Sequence, residues 1–218
     1  MGKAATSKRR QKGGEEAAVR ERILRAAFAA FKKSGYATTS MLEIATRARV
    51  SKRELYALVG NKHEMLIASI SERAKRLAVP ADLPVLRDRE TLEQVLASFG
   101  AKFVSEVSDP AVIAVFRLAI AEVVQAPEVA RALNSIGREA SRAALREIMA
   151  RAQAYGLLTG RAAELGEQFA GLLWRDLLVS LLLGVAERPN PREIAGRARE
   201  AAAAFLQFHP PPDGGPAA

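Results

Sequence analysis

Lys52 and Arg53 are the side chains of this sequence best suited to a specific chemistry. A lysine can hold a phosphate group, and an arginine can bond the edge of a guanine with two donors at once. Both residues follow Ser51, a residue type that commonly caps the start of a helix. A pair of charges on a helix is usually just a solvated face, so contact with DNA depends on the elements that carry the pair.

Three capping boxes predict those elements. Ser40–Glu43, Ser51–Glu54 and Asn61–Glu64 each place a capping side chain three residues before a glutamate, which is a pattern that starts a helix. These starts are so close together that they leave room for two helices of about seven to eight residues. Two short helices joined by a turn of about three or four residues make a helix-turn-helix, and its second helix would begin at Lys52.

The positive charge of the chain lies at its N-terminal end. The net charge is +9, and residues 1–62 carry 15 Lys+Arg against 5 Asp+Glu, whereas residues 63–218 carry 18 against 19. Such an asymmetry favours a polyanion bound at one end of the molecule. Five basic residues near the N-terminus supply half of this surplus, and the other half lies within predicted helices. These five are Lys3, Lys8, Arg9, Arg10 and Lys12.

Residue types for catalysis or for metal binding are scarce. The chain has no cysteine, and its two histidines, His63 and His209, are far apart in the sequence. The sequence shows no serine–histidine–acid set, phosphate-binding loop or dinucleotide fingerprint. We therefore expect no enzymatic activity, no cofactor and no metal site. The lack of cysteine also fits a reducing, cytoplasmic location.

Helical periodicity covers most of the chain, and no convincing strand pattern appears. Besides the two short helices, predicted helices cover about 15–33, 61–79, 89–107, 110–124, 127–155, 161–186 and 191–208. The most apolar run, residues 169–184, is too short and too charged to span a membrane. We expect an all-α protein with four parts. They are a flexible basic arm at 1–14, a helix-turn-helix domain at 15–62, a ligand-sensing and dimerising helical bundle at 63–209, and a disordered tail at 210–218.

Residues 23–66 resemble the DNA-binding domain of the tetracycline-repressor (TetR) family. The similarity rests on the Ile-Leu-x-Ala-Ala opening, Phe31, Gly35-Tyr36, Thr39-Ser40, Ile44-Ala45, Val50-Ser51, Leu55-Tyr56, and Lys62 followed by Glu64-Met65-Leu66. The segment FRLAIAEVVQAPEVARAL and the 169–184 helix are similar to the regulatory domain of one TetR subgroup. This resemblance implies a homodimer that binds a palindromic operator in double-stranded DNA, with a C-terminal bundle that pairs the subunits and encloses an inducer.

The resemblance also implies which residues contact DNA. Ser40 and Tyr56 would touch phosphates, Lys62 would reach the DNA backbone, and Ser51 to Glu54 would open the recognition helix. The full predicted set is Thr39, Ser40, Arg49, Ser51, Lys52, Arg53, Glu54, Tyr56 and Lys62.

Two residues depart from the family pattern. Arg49 stands where glycine is common in the turn, and Val59 stands where an aromatic residue is usual. A non-glycine residue in a left-handed turn costs about 1–2 kcal/mol. The turn is therefore either strained or of another geometry.

The C-terminal helices offer candidates for a ligand pocket and for a dimer interface. The pocket candidates are Phe99, Phe103, Phe116, Arg117, Ile120 and Trp174, although aromatic residues at this spacing are as typical of a plain core. Because the 169–183 helix is apolar around most of its circumference, we expect the interface to include Leu178, Leu182, Ala201 and Phe205.

Three charged residues, Arg117, Glu122 and Asp176, lie within apolar stretches. A buried charge needs a partner, which could be a salt bridge at the dimer interface or a polar ligand. Together these patterns favour a repressor that a small molecule releases from its operator. A dimeric DNA-organising protein without a ligand is the alternative, and a cavity of several hundred Å³ would distinguish the two.

Overall fold

The structure, a computed structural model, describes residues 2–79 and 83–211. Helices and their connecting turns make up these two ranges, so the predicted all-α fold is confirmed. In chain order the α-helices are α1 (Gly2–Ser34), α2 (Met41–Ala48), α3 (Lys52–Leu58), α4 (Lys62–Ala74), α5 (Arg89–Val107), α6 (Pro110–Ala121), α7 (Pro127–Ala132), α8 (Glu139–Ala154), α9 (Ala162–Trp174), α10 (Leu177–Leu183) and α11 (Pro191–Phe208).

The predicted arm and tail can each be compared in part with the structure. Helix α1 begins at Gly2, well before the predicted start near Glu15, and continues through Gly13 and Gly14. The side chains of the predicted basic arm and residues 212–218 of the predicted tail lie outside the described residues.

The chain divides into two compact units. The first contains residues up to Glu72 together with Arg117–Leu133, and the second contains Arg73–Phe116 and the residues from Asn134 onward. The predicted border after residue 62 falls inside the first unit, because most of α4 clusters with α1 to α3.

Capping side chains start the short helices of the first unit, as the sequence predicts. Ser40 accepts a hydrogen bond from the Glu43 amide at 3.1 Å, and Ser51 accepts one from the Glu54 amide at 3.1 Å. At Asn61 the box is reciprocal, since Glu64 Oε2 also accepts from the Asn61 amide at 2.7 Å. Each such cap contributes about 1 kcal/mol, which is needed by helices this short.

The core of the first unit joins its first three helices. Fully buried apolar side chains from α1, α2 and α3 meet there, and each of the large ones contributes about 1.5–3 kcal/mol on burial. They include Ile23, Ala27, Phe31, Ile44 and Leu55.

In the second unit, α5 packs along α11, and α8 packs against α9. Gly100 on α5 allows a close approach of α9, since a Cβ there would lie 3.2 Å from Leu173 Cδ1 and 3.3 Å from Phe169 Cζ. Phe169 in turn stacks edge-on against Phe205, with ring centroids 5.7 Å apart. Within the described residues, no helix is long and apolar enough to cross a membrane.

Two of the predicted long helices are interrupted. A π-helical segment, Leu133–Arg138, separates α7 from α8 within the predicted 127–155 helix. The predicted 161–186 helix breaks at Arg175, which has φ 45° and ψ −122°. Neither proline nor glycine marks this break in the sequence. Arg197 compensates for it, because its Nη1 donates to the carbonyls of Leu173 at 3.2 Å and Trp174 at 3.5 Å.

The four residues predicted for a dimer interface differ in burial, and the interface itself stays a prediction. Ala201 and Phe205 have no exposed surface, because they face the core of their own unit. Leu178 and Leu182 are partly buried and pack against the same core. The exposed apolar side chains of this region are instead Val179, Leu183 and Val185, exposed by 58%, 72% and 75%.

Candidate nucleic-acid interface

Helix α3 presents a continuous polar face. Lys52, Arg53, Glu54 and Tyr56 are all exposed, whereas Leu55 between them has no exposed surface and anchors the helix to the core. The exposed fraction of Tyr56 is 46%, which a core tyrosine would not show. The structure thus brings together on one short helix four of the residues predicted to contact DNA.

The turn between α2 and α3 is left-handed at Arg49, with φ 53° and ψ 50°. The Arg49 amide donates to Thr46 O at 3.2 Å, and the Val50 amide donates to Ala45 O at 3.1 Å. This is the Schellman pattern that normally ends a helix with glycine. Of the two alternatives for Arg49, the structure therefore has the strained one. The Arg49 side chain is exposed in this turn.

Residues Thr39 and Ser40 precede α2 and differ in exposure. Thr39 is only 3% exposed, and its hydroxyl donates to Gly35 O at 2.6 Å. Thr39 thus stabilises the loop, and its contact with DNA stays a prediction. Ser40 is exposed and accepts from the Glu43 amide, so its own hydroxyl proton remains for a phosphate oxygen.

Lys62 is also engaged within the protein. Its ammonium group donates to the carbonyls of Tyr36 at 2.7 Å, Ala37 at 3.1 Å and Thr39 at 3.3 Å. It also lies 4.6 Å from the centre of the Tyr36 ring. A lysine has three N–H donors, and these carbonyls use all of them. Lys62 thus stabilises the loop between α1 and α2. Its contact with the DNA backbone stays a prediction.

Two residues of this loop region also contact the segment 117–133. Glu122 accepts hydrogen bonds from the amides of Tyr36 and Ala37. Burial and, secondarily, the charge of Glu128 raise the pKa of the Tyr36 phenol above its ordinary value. From the sequence, Glu122 stood out as a charge in an apolar stretch, but nothing there identified backbone amides as its partners.

Three of the predicted ligand residues are aromatic side chains that pack on one another in the second unit. Phe103 packs edge-on against Trp174 at 5.5 Å and tilted against Phe99 at 5.9 Å, so these three form a stack that is part of the core. Phe116 belongs to the same unit, whereas Arg117 and Ile120 belong to the other, and Ile120 is 61% exposed. The ligand-binding role of the six residues stays a prediction.

A cleft in the second unit is lined by other residues. It has a volume of about 590 Å³ and lies along α5 and α11. Its lining combines charged, polar and small side chains, namely Glu90, Glu93, Gln94, Ala97, Ser98, Ala101, Ala195 and Arg199.

Two protein-family models match the chain. Residues 23–69 match the family model described as bacterial regulatory proteins, tetR family, and residues 94–209 match that of the AefR-like transcriptional repressor, C-terminal domain. No curated protein sequence matches the chain.

Solved structures of the same kind cover nearly the whole chain. The flavonoid-responsive regulator FrrA is 26% identical with a TM-score of 0.72, over 91% of this chain and 100% of that one. A TetR family regulator from Pseudomonas syringae pv. tomato str. DC3000 is 27% identical with a TM-score of 0.66, over 88% and 96%. A TetR regulator from Agrobacterium tumefaciens is 24% identical with a TM-score of 0.72, over 88% and 95%.

Proposed function

Since the chain belongs to the TetR family of DNA-binding transcriptional regulators, we propose that it represses transcription as a homodimer on a palindromic operator and that a small molecule releases it. The family consists of regulators and not of enzymes. The matching C-terminal model is that of a repressor, which supports repression over activation.

The exposed face of α3 is the observation that carries this proposal. Lys52, Arg53, Glu54 and Tyr56 point outward from a helix that is capped at Ser51 and anchored by Leu55. A short helix presented in this way fits the major groove, where arginine can pair with guanine and lysine with phosphate. We propose Arg53 as a base-reading residue, and Ser40, Arg49, Lys52 and Tyr56 as the contacts to the DNA backbone.

A second copy of the chain is the partner we propose for the exposed side of α10. Val179, Leu183 and Val185 leave an apolar patch uncovered on a single chain. Such a patch commonly marks an interface, and a two-fold pair of subunits would repeat the same surface on both sides. The two α3 helices of such a dimer would enter successive major grooves about 34–36 Å apart, or a multiple of that distance.

We propose only that the inducer is a small molecule. One relative is named for its response to flavonoids, which supports regulation by a small molecule. The cleft along α5 and α11 is large enough for such a ligand. The packing of Phe99, Phe103 and Trp174 into the core favours the alternative, a dimeric DNA-organising protein that needs no ligand.

Selection of random DNA fragments by the purified protein tests the proposal. We expect an inverted repeat, and Arg53→Ala should relax the preference at one position of each half-site at a cost of about 1–3 kcal/mol. Lys33→Ala is the matched control, because it removes an exposed positive charge at the end of α1. Fragments without a common sequence would favour the DNA-organising alternative. A flavonoid panel, scored by release of the selected fragment, then tests the inducer class.

A further inference from the structure

Glu122 lies in the turn that follows α6 and is a buried carboxylate, only 9% exposed. Its Oε1 accepts from the Tyr36 amide at 3.1 Å, and its Oε2 accepts from the Ala37 amide at 3.3 Å. Both amides belong to the loop between α1 and α2, more than 80 residues earlier in the chain. A buried carboxylate is stable only with such partners, so this contact is specific and not incidental.

The same loop is held from its carbonyl side by a cation. Lys62 Nζ donates to the carbonyls of Tyr36, Ala37 and Thr39. The peptide N–H groups thus bond an anion and the peptide C=O groups bond a cation. Hydrogen bonds to charged groups are about twice as strong as neutral ones, and together they fix the conformation of the loop.

Gly35 leaves the space that the carboxylate occupies. The residue has φ +86°, and a Cβ built on it would lie 2.6 Å from Glu122 Oε1. A side chain at position 35 would therefore push the carboxylate away from the Tyr36 and Ala37 amides. Glycine is required here both for its backbone conformation and for the approach of Glu122.

We propose that Glu122 is a positioning residue for DNA binding, and that residues 117–133 form part of the DNA-binding unit. The loop that Glu122 holds leads directly into Ser40 and α2, so its conformation sets where the Ser40 hydroxyl and the amino end of α2 meet a phosphate. This inference rests on the DNA binding of the family and does not depend on the operator or the inducer proposed above.

Glu122→Gln tests the inference, because the loss of charge and the loss of the amide contact should change DNA affinity in opposite directions. Removing a negative charge from a basic DNA-binding unit should by itself leave binding unchanged or strengthen it. Loss of one amide contact should instead weaken binding about tenfold, as expected for a hydrogen bond to a charged group. Affinity is measured on one duplex DNA fragment that the wild type binds, whether or not it contains an inverted repeat, and well below the melting temperature of each variant.

Glu21→Gln is the matched control, because Glu21 is an exposed glutamate on α1 whose ion pair with Arg25 is long, 3.9 Å. It removes the same charge from the same unit and should bind as tightly as the wild type or more tightly. If Glu122→Gln binds as tightly as Glu21→Gln, Glu122 has no positioning role.

A double-mutant cycle identifies the contact itself. Gly35→Ala and Glu122→Ala each break the same contact, so their losses of DNA affinity should not add. In the Glu122→Ala background, Gly35→Ala should lower the affinity only by the effect of its own backbone strain. Additive losses would show that the two residues act independently, and they would overturn the inference.

Hydrogen exchange of the unmodified protein keeps the test valid if the variants fold poorly. The Tyr36 and Ala37 amides lie outside any helix, yet they should exchange slowly because Glu122 accepts from both. Exchange at the rate of exposed loop amides would show that the link is not maintained in solution.

Discussion

Arg22 of α1 donates a hydrogen bond from Nε to the carbonyl of Ala48, the last residue of α2, at 2.8 Å. The last carbonyls of a helix have no partner within it, and Arg49 then turns the chain away in a left-handed conformation. The first helix therefore satisfies the end of the second at the point where the chain turns toward α3.

Arg22→Ala should lower the free energy of unfolding by about 1–2 kcal/mol, because it leaves the Ala48 carbonyl without that charged partner. Arg25→Ala is the control, since this side chain is 72% exposed and should change stability by no more than about 0.5 kcal/mol. Urea unfolding followed by circular dichroism measures both. Equal losses would mean that the hydrogen bond contributes nothing measurable.

Arg49→Gly should raise stability by about 1 kcal/mol and weaken DNA binding. Glycine adopts φ 53° without the steric cost that arginine has there, whereas the lost guanidinium no longer attracts phosphate. Arg49→Ala separates the two effects, because it removes the charge and keeps the strain. Thermal melting and operator titration should show weaker binding in both variants but a higher melting temperature in the glycine variant alone. Equal melting temperatures would contradict the strain.

Local signals explain why the DNA-binding part of the fold could be predicted. The starts of α2, α3 and α4 follow from the side chains of Ser40, Ser51 and Asn61, each of which acts within three residues. The sequence left the geometry at Arg49 open, and the structure has the left-handed one, with φ 53°.

Long-range contacts account for what the sequence did not show. The roles of Lys62 and Glu122 depend on carbonyls and amides that any residue type can supply, so no pattern of side chains reveals them. The break at Arg175 has no glycine or proline, and it depends on Arg197 from another helix. For Phe205, helical periodicity marks an apolar face but not whether that face meets its own core or a partner.

Lys52→Ala and Lys62→Ala should differ in their effects on the salt dependence of DNA binding and on the melting temperature. A dimer that neutralises about 8 phosphates has a log–log slope of affinity against salt near −7, and each lost phosphate contact makes it shallower by about 0.9. Lys52 is exposed on α3, so its loss should make the slope shallower by about 2 per dimer and leave the melting temperature unchanged. Lys62→Ala should lower the melting temperature, because three carbonyls lose their donor, and should leave the slope nearly unchanged. A shallower slope for Lys62→Ala at an unchanged melting temperature would show that Lys62 is a phosphate contact.

Leu183→Arg should convert the dimer to a monomer and greatly weaken operator binding. The side chain is 72% exposed on the single chain, so arginine is tolerated there without loss of folding, whereas a charge pressed against its two-fold mate is not. A monomer also loses the second α3, and with it about half of the contacts to a palindromic site.

Val124→Arg is the control, because Val124 is 86% exposed but belongs to the first unit, and this variant should remain a dimer. Light scattering gives the mass of each variant, and circular dichroism shows whether it is folded. A folded Leu183→Arg protein that keeps the mass of a dimer would place the interface away from α10.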